Sequence, residues 1–330
     1  MIITRTPLRV SFVGGGSDLP SFYRKHSGKV ISTSIDKYIY VTVNHLSEYF
    51  DCSYLLKYSK TEMCNSIDEI NHPIIRETLR KLNIKDRLEI TSMADLPAGT
   101  GLGSSSSYTV GLLHALYAHK GKYVSKETLA QEACEIEIDI LKEPIGKQDQ
   151  YAASYGGLRV IKFNKDDIVE TNPVVCSKET KKELSKNLMM FYTGITRNAS
   201  DILSEQNKKT EEDVETQEKI ASILEPCNPF LSCLSRGSTL SEIGYILHSV
   251  WNYKKSLVSS ISNKTIDDYY SRALDVGAVG GKLLGAGGGG CLLFYVEPQN
   301  QENIRRLLYR LREVKFDFEN EGTKIIYVSD

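Results

Sequence analysis

The chain has 330 residues, with 41 Lys and Arg against 42 Asp and Glu, a net charge of -1, and 25% charged residues beside 41% hydrophobic ones. That balance excludes a whole-chain basic face for nucleic acid and an acidic disordered chain, so any anion site must be local. The length suits two ordinary domains, the start lacks a signal peptide's apolar core, and no apolar run approaches the ~20 residues of a membrane span, so a cytoplasmic chain without membrane or nucleic-acid partners is expected.

Leu8, Val10 and Phe12 alternate as a strand that stops at Gly14-Gly15-Gly16. Arg9 lies near the middle of that strand, where a charge is costly unless exposed, paired or functional. Ser17 or Asp18 suits the N-cap of a helix over 19–25, with Pro20 at its first position. Residues 30–35 and 38–43 are β-branched and aromatic and predict a strand pair. Helical spacing runs over 74–82, and a short strand over 88–91. The segment 95–103 is glycine-rich loop, and a helix follows over Ser104–His119. Ser125 caps a second helix running through Ile140, which Pro144 and Gly146 end. A strand is expected at Leu158–Phe163.

The polar, lysine-rich stretch 177–187 is the candidate boundary, giving domains 1–185 and 186–330. The second half opens on a strand, Leu188–Tyr192. Helical patterns cover 199–224, 240–257 and 266–276. A glycine run, 285–290, leads into the strand Cys291–Val296. A helix over 302–314 and a strand over Lys324–Val328 close the chain. Strands and helices interleave in both halves, which gives a mixed α and β class. The seven cysteines contain no C-x-x-C, and no His/Cys spacing suggests zinc, so they are read as reduced thiols.

Three glycine segments carry the chemistry. In Leu96-Pro97-Ala98-Gly99-Thr100-Gly101-Leu102-Gly103, bare backbone precedes four serines that open a helix. A helix N-terminus has free N–H groups and the positive dipole end, which suits a phosphate. Serine hydroxyls there can reach a phosphate oxygen or Mg²⁺. The P-loop pattern is absent, because Gly281-Lys282 continues to Leu283 and residue 276 is Val. The run 285–290 matches G-x-G-x-x-G but precedes a strand instead of opening a helix. The dinucleotide and protein-kinase readings therefore fail on context.

In this order and spacing the three segments identify a resemblance to the GHMP kinases, which include galactokinase, homoserine kinase and mevalonate kinase. Pro7-Leu8-Arg9-Val10 through Asp18 is similar to their N-terminal motif, 96–107 to their phosphate-binding motif, and 282–294 to their C-terminal glycine motif. Five further segments are similar to the branch that acts on a heptose 7-phosphate. They are Ile35-Asp36-Lys37-Tyr38, Lys57-Tyr58-Ser59-Lys60, His72-Pro73-Ile74-Ile75-Arg76-Glu77, Gly146-Lys147-Gln148-Asp149-Gln150-Tyr151 and Thr193-Gly194-Ile195-Thr196-Arg197. Fucokinase-like domains share some of this.

The resemblance implies an α+β fold. An N-terminal α/β domain with a left-handed β-α-β crossover precedes a C-terminal ferredoxin-like domain, and the active site lies in the cleft. It implies ATP and Mg²⁺, and a sugar phosphate as acceptor, in the making of surface glycans. Asp149 would take the proton of the anomeric hydroxyl, with Arg9 beside it stabilising developing charge. Pro97, Gly99, Thr100, Gly101, Leu102, Gly103, Ser104, Ser105 and Ser106 would hold the ATP phosphates. Ser105 and Glu137 would hold Mg²⁺, with Ser104 and Ser106 left as alternatives. The family pattern places its glutamate one residue closer to the catalytic Asp than Glu137 stands.

Asp18 would take vicinal sugar hydroxyls, with Gly15, Gly16, Gly287 and Gly288 near the substrate. Lys37, Arg197 and Lys282 are the candidate cations for the acceptor's own phosphate. Another sugar-1-kinase, or a sugar sensor on the same scaffold, are the rival readings. The oligomeric state is left open.

Overall fold

The computed structural model describes residues 1–196, 199–237 and 240–329. The first domain is built on β1 (Ile2–Val13) and β2 (Gly28–His45), joined through α1 (Pro20–His26). The expected strand pair over 30–43 is one continuous strand. Asp36 and Lys37, between its halves, make no turn, and the step is absorbed as a bulge. Pro7 pairs with Tyr38 and Leu8 with Ile35, so Asp36 and Lys37 are left without partners on β1.

The sheet continues through β3 (Tyr54–Lys57), β4 (Thr61–Cys64) and β5 (Leu88–Ala94). α2 (Pro73–Lys81) lies in the crossover that makes β3 and β5 parallel. α3 (Ser104–His119) lies on β1 and β2 and buries residues all around its circumference, as a central helix must. α4 (Lys126–Cys134), a π-helical turn over Glu135–Ile140 and α5 (Gln148–Tyr155) complete the layer. Then β6 (Leu158–Phe163) and β7 (Val169–Pro173) extend the sheet from the first half of β2. The bend lets β2 serve two neighbours, β6 through residues 28–33 and β5 through 39–45.

The stretch 177–187 is not a linker but α6 (Lys178–Lys186), capped by the Ser177 hydroxyl on the Thr180 N–H. Its polarity belongs to a solvated helix face. β8 (Leu188–Tyr192) then starts the second domain. The pattern over 199–224 is two helices, α7 (Ala199–Glu212) and α8 (Val214–Leu224), because the Asp213 carboxylate caps the second. α9 (Cys227–Arg236) is an unforeseen helix, followed by α10 (Glu242–Lys255) and α11 (Lys264–Asp275). The hairpin β9 (Ala278–Leu283) and β10 (Cys291–Val296) encloses the last glycine run. The helix expected over 302–314 is only α12 (Gln301–Leu307), after which β11 (Arg312–Glu313) pairs with β8. In their own chain order the four strands run 4-1-3-2 and are all antiparallel, the ferredoxin-like arrangement.

The chain then returns to the first domain. β12 (Phe318–Glu319) pairs with β2, and β13 (Lys324–Val328) pairs with β1. The division at 185/186 therefore fails for these final strands. Thr323 fastens the return, sharing a hydrogen bond with Thr6 (2.9 Å) and another with His114 Nδ1 (3.2 Å).

His114 is pushed down to about 4, first by burial and then by the charge of Lys126. Its folded value lies below its ordinary 6.5, so this stabilisation is complete above pH 6.5 and is lost as pH falls toward 4. The loss is expected to reach roughly 2 to 3 kcal/mol and to be absent in His114→Gln. Urea titrations at pH 7 and pH 4.5 check it, and a wild-type loss no larger than the variant's would refute it.

Candidate active site

The glycine turn after β1, the loop before α3, the start of α5 and the β9–β10 loop meet around one cleft of 720 Å³ between the domains. Its centre is Arg9. The alternation of β1 points this side chain inward, and the guanidinium is buried. Nε donates to Asp149 Oδ1 and Nη2 to Oδ2, both at 2.7 Å, while Nη1 donates to the Gly101 carbonyl at 2.6 Å. This planar bidentate fork is geometry that a lysine could not supply. Asp149 stands in the first turn of α5, and the solvated-face alternative for Arg9 is excluded by its burial.

The loop 99–103 is shaped by left-handed glycines at alternate positions, with Gly99, Gly101 and Gly103 at φ 78°, 78° and 77°. Gly103 is the N-cap of α3. The N–H groups of Ser104, Ser105 and Ser106 open that helix toward the cleft, where an intrahelical partner does not exist. The Arg9 N–H ties the loop to β1 through the Leu102 carbonyl at 3.0 Å. Of the predicted phosphate-binding residues, Gly99, Gly101, Gly103 and Ser104 to Ser106 line the cleft. Thr100 and Leu102 are buried behind it, and Pro97 lies outside the lining.

The run 285–290 buttresses this loop and opens no helix. Cys291 N–H donates to the Thr100 carbonyl at 3.0 Å. Gly288 donates to Ile261 at 2.8 Å, and Gly287 lies against the same residue. Gly287 and Gly288 thus face Ile261, and Gly285 and Ala286 take the cleft positions.

Glu137 is buried in the π-helical turn and turned toward α3. Its carboxylate accepts from Ser105 Oγ at 2.8 Å and from Gln150 Nε2 at 2.7 Å. Burial pushes its pKa up, the hydrogen bonds from Ser105, Ser106 and Gln150 oppose this, and the Asp149 charge adds to it. A π-turn holds one residue more than an α-turn. That accommodates the extra residue between Glu137 and Asp149.

Asp18 does not cap α1, whose N-cap position is Leu19 with no side-chain bond. Its carboxylate instead accepts from the Gly16 N–H (3.0 Å), the Gln148 N–H (3.3 Å) and Gln148 Nε2 (3.0 Å). Burial, then the neighbouring Asp149 charge, raise its pKa. Gly15 and Gly16 line the same end, together with Ser11, whose buried Oγ has no hydrogen-bond partner.

Lys282 lines the cleft as a candidate cation, whereas Lys37 does not, and pairs with its neighbour Asp36. Arg197 lies outside the described residues. Lys254 lines the cleft and was not foreseen. It sits on the buried stripe of α10 with Leu247, Val250 and Trp251, and a charge at that spacing was the available signal. At the opposite end Tyr58, His72, Ile74, Leu96 and Tyr108 form an aromatic and apolar recess. The His72 ring is 4.7 Å from that of Tyr58 and 5.3 Å from that of Tyr108.

Such a cleft, with a helix N-terminus suited to a phosphate facing a buried arginine–carboxylate fork, is the arrangement of one class of phosphotransferase. That is the class of ATP-dependent sugar kinases. Residues 70–157 match the GHMP kinases N terminal domain, and residues 233–312 match the GHMP kinases C terminal domain. The chain is 30% identical, over 98% of each chain, to the D-glycero-alpha-D-manno-heptose 7-phosphate kinase of Campylobacter jejuni subsp. jejuni serotype O:2. It is 25% identical to a galactokinase of Pyrococcus furiosus, over 96% of this chain and 95% of that protein. The fold superposes on the crystal structure of a D-glycero-D-manno-heptose 1-phosphate kinase from Bacteroides thetaiotaomicron with TM-score 0.79, at 23% identity over 100% of each chain. The chain belongs to the GHMP kinase family.

Proposed function

We propose that this kinase phosphorylates the anomeric hydroxyl of D-glycero-D-manno-heptose 7-phosphate, with Mg-ATP as donor. The observation that carries the reaction is the Arg9–Asp149 fork at the mouth of the phosphate loop, with Asp18 beside it. The acceptor's identity is supported by the Campylobacter relative, which matches this chain over nearly its whole length.

The γ- and β-phosphates lie over the N–H groups of Gly99 to Ser106, where the α3 dipole favours negative charge. The adenine occupies the Tyr58–His72–Tyr108 recess, where the Tyr108 hydroxyl is buried without a partner and is free to bond a ring nitrogen. Asp18 accepts two vicinal hydroxyls and sets the anomeric oxygen toward the γ-phosphorus. As that oxygen bonds to phosphorus and the bridging bond to ADP breaks, Asp149 takes the hydroxyl proton. Arg9 holds Asp149 in place and keeps positive charge beside the transferring group.

Ser105 and Glu137 fit a hard divalent cation. Both offer oxygen, both face the phosphate loop, and among the described residues the Glu137 carboxylate has no ion-pair partner. Bound Mg²⁺ would neutralise charge on the β- and γ-phosphates. Seven unpaired thiols suit the reducing cytoplasm as the compartment.

The test is ADP release with Mg-ATP against the heptose 7-phosphate, the unphosphorylated heptose, mannose, L-fucose, galactose and mevalonate. Turnover on the 7-phosphate, abolished by chelating Mg²⁺, is expected. Equal or faster turnover on an unphosphorylated sugar would move the enzyme to another branch.

A further inference from the structure

Two buried lysines in the cleft wall form no ion pair with a carboxylate among the described residues. Lys254, in the last turn of α10, donates to the Gly285 carbonyl, and Lys282, in β9, donates to the Phe12 carbonyl at 2.9 Å. They are 9% and 3% exposed, and among the described residues neither forms an ion pair. Burying an unpaired cation is costly, and burying two together costs more. Burial, then Arg9, pushes Lys254 down to about 8, and burial, then Lys254 and Arg9, push Lys282 well below its ordinary value.

Two amines kept at such a cost on a ligand-facing wall call for an anion that arrives with the ligand. The nucleotide is already provided for by the glycine loop, the α3 N-terminus and the Ser105–Glu137 pair. Arg9 is committed to Asp149 and to the Gly101 carbonyl. The lysines belong instead to the acceptor's end. The nearby Asp18 charge opposes the fall in Lys254. Lys282 is held by the carbonyl of Phe12, next to Ser11, whose buried hydroxyl is unpartnered at the same end. Two lysine amines and a hydroxyl, with no carboxylate bonded to any of them, can all donate to a tetrahedral dianion, whose charge favours the protonated amines.

We propose that Lys254 and Lys282, with Ser11, form the seat of a phosphate monoester that the acceptor carries at a position remote from the hydroxyl being phosphorylated. This rests on the sugar-kinase reading of the same cleft and gives that reading its selectivity. A neutral sugar would leave both amines buried and unanswered, so the site discriminates by penalty as well as by attraction. The Gly285 contact is then a tether that aims the Lys254 amine, and of the cations expected to serve this phosphate Lys282 takes the part while Lys37 lies outside the cleft lining.

The test uses the full chain as wild type, Lys254→Met and Ser11→Ala, each checked for an unchanged circular-dichroism spectrum. Calorimetric titration without ATP compares the heptose 7-phosphate with the unphosphorylated heptose, and ADP release is followed separately on both. Wild type is expected to bind the phosphorylated sugar at least about tenfold more tightly, and Lys254→Met to lose that preference. The selectivity ratio in kcat/KM should collapse by a similar factor through KM, with the KM for ATP unmoved. Ser11→Ala should lower the same ratio by about threefold.

A wild type without preference for the phosphorylated sugar would overturn the seat. So would a Lys254→Met variant that loses both acceptors equally, or loses ATP, because the lysine would then only prop the glycine loop. Tight, Lys254-dependent binding of the 7-phosphate with no ADP release would instead sink the proposed reaction and leave the seat standing.

Discussion

Asp149→Asn is expected to lose about a thousandfold in kcat while Mg-ATP binds as in the wild type. The substitution keeps the side-chain volume and removes the oxygen that would accept the acceptor's proton. It also spoils half of the fork. Arg9 Nε and Nη2 now donate to the two carboxylate oxygens, and an amide can accept only one of these bonds. The Arg9 bond to the Gly101 carbonyl survives, so the phosphate loop stays tied to β1. Arg9→Met should also lose most of kcat. The double variant should fall little below the worse single one, since groups acting on one proton and one charge are not additive. Single-turnover rates with calorimetric ATP affinities decide it. A kcat within tenfold of wild type would remove Asp149 from the proton-accepting role.

These side chains were readable because each sits in a short segment whose chemistry is local. A charge inside an alternating strand, three glycines before a serine-opened helix, and an acid in the first turn after a Pro/Gly break are visible without tertiary knowledge. Glu137 was readable in identity but not in spacing, because a π-turn leaves no mark in a run such as Glu135-Ile136-Glu137-Ile138. The rest depended on tertiary placement. Lys254 looks like an ordinary helix-end lysine until α10 is packed with its Trp251 stripe inward. α9 was hidden by Pro229, which a helix tolerates in its first turn, although Phe230, Cys233 and Leu234 carry helical spacing. β2 was divided because Asp36 and Lys37 interrupt its apolar pattern, and a bulge reads like a turn. The return of β12 and β13 to the first sheet has no sequence signal, since a strand does not name its partner.

Gly101→Ala should cost about 2 to 4 kcal/mol of stability and weaken ATP binding at least about tenfold. Gly101 is where the two glycine motifs touch. A Cβ there would stand 2.5 Å from the Leu284 carbonyl oxygen, 2.8 Å from its carbon and 3.2 Å from the Gly285 nitrogen. These are backbone atoms, held by the β9–β10 hairpin, and cannot swing aside as a side chain would. The residue also has φ +78°, which strains any L side chain. Relief requires the domains to part at this point. That would move the carbonyl that Arg9 Nη1 holds, and with it both the glycine loop and the Arg9–Asp149 fork. Gly121→Ala separates the two costs, because Gly121 has φ +65° with nothing within 4 Å of its Cβ. It should lose only about 1 kcal/mol and leave ATP binding intact. Urea unfolding and ATP titration of the two variants check this. If Gly101→Ala were no less stable than Gly121→Ala, the contact between the motifs would carry no weight. The serine-opened helix would then hold the phosphates without support from the second domain.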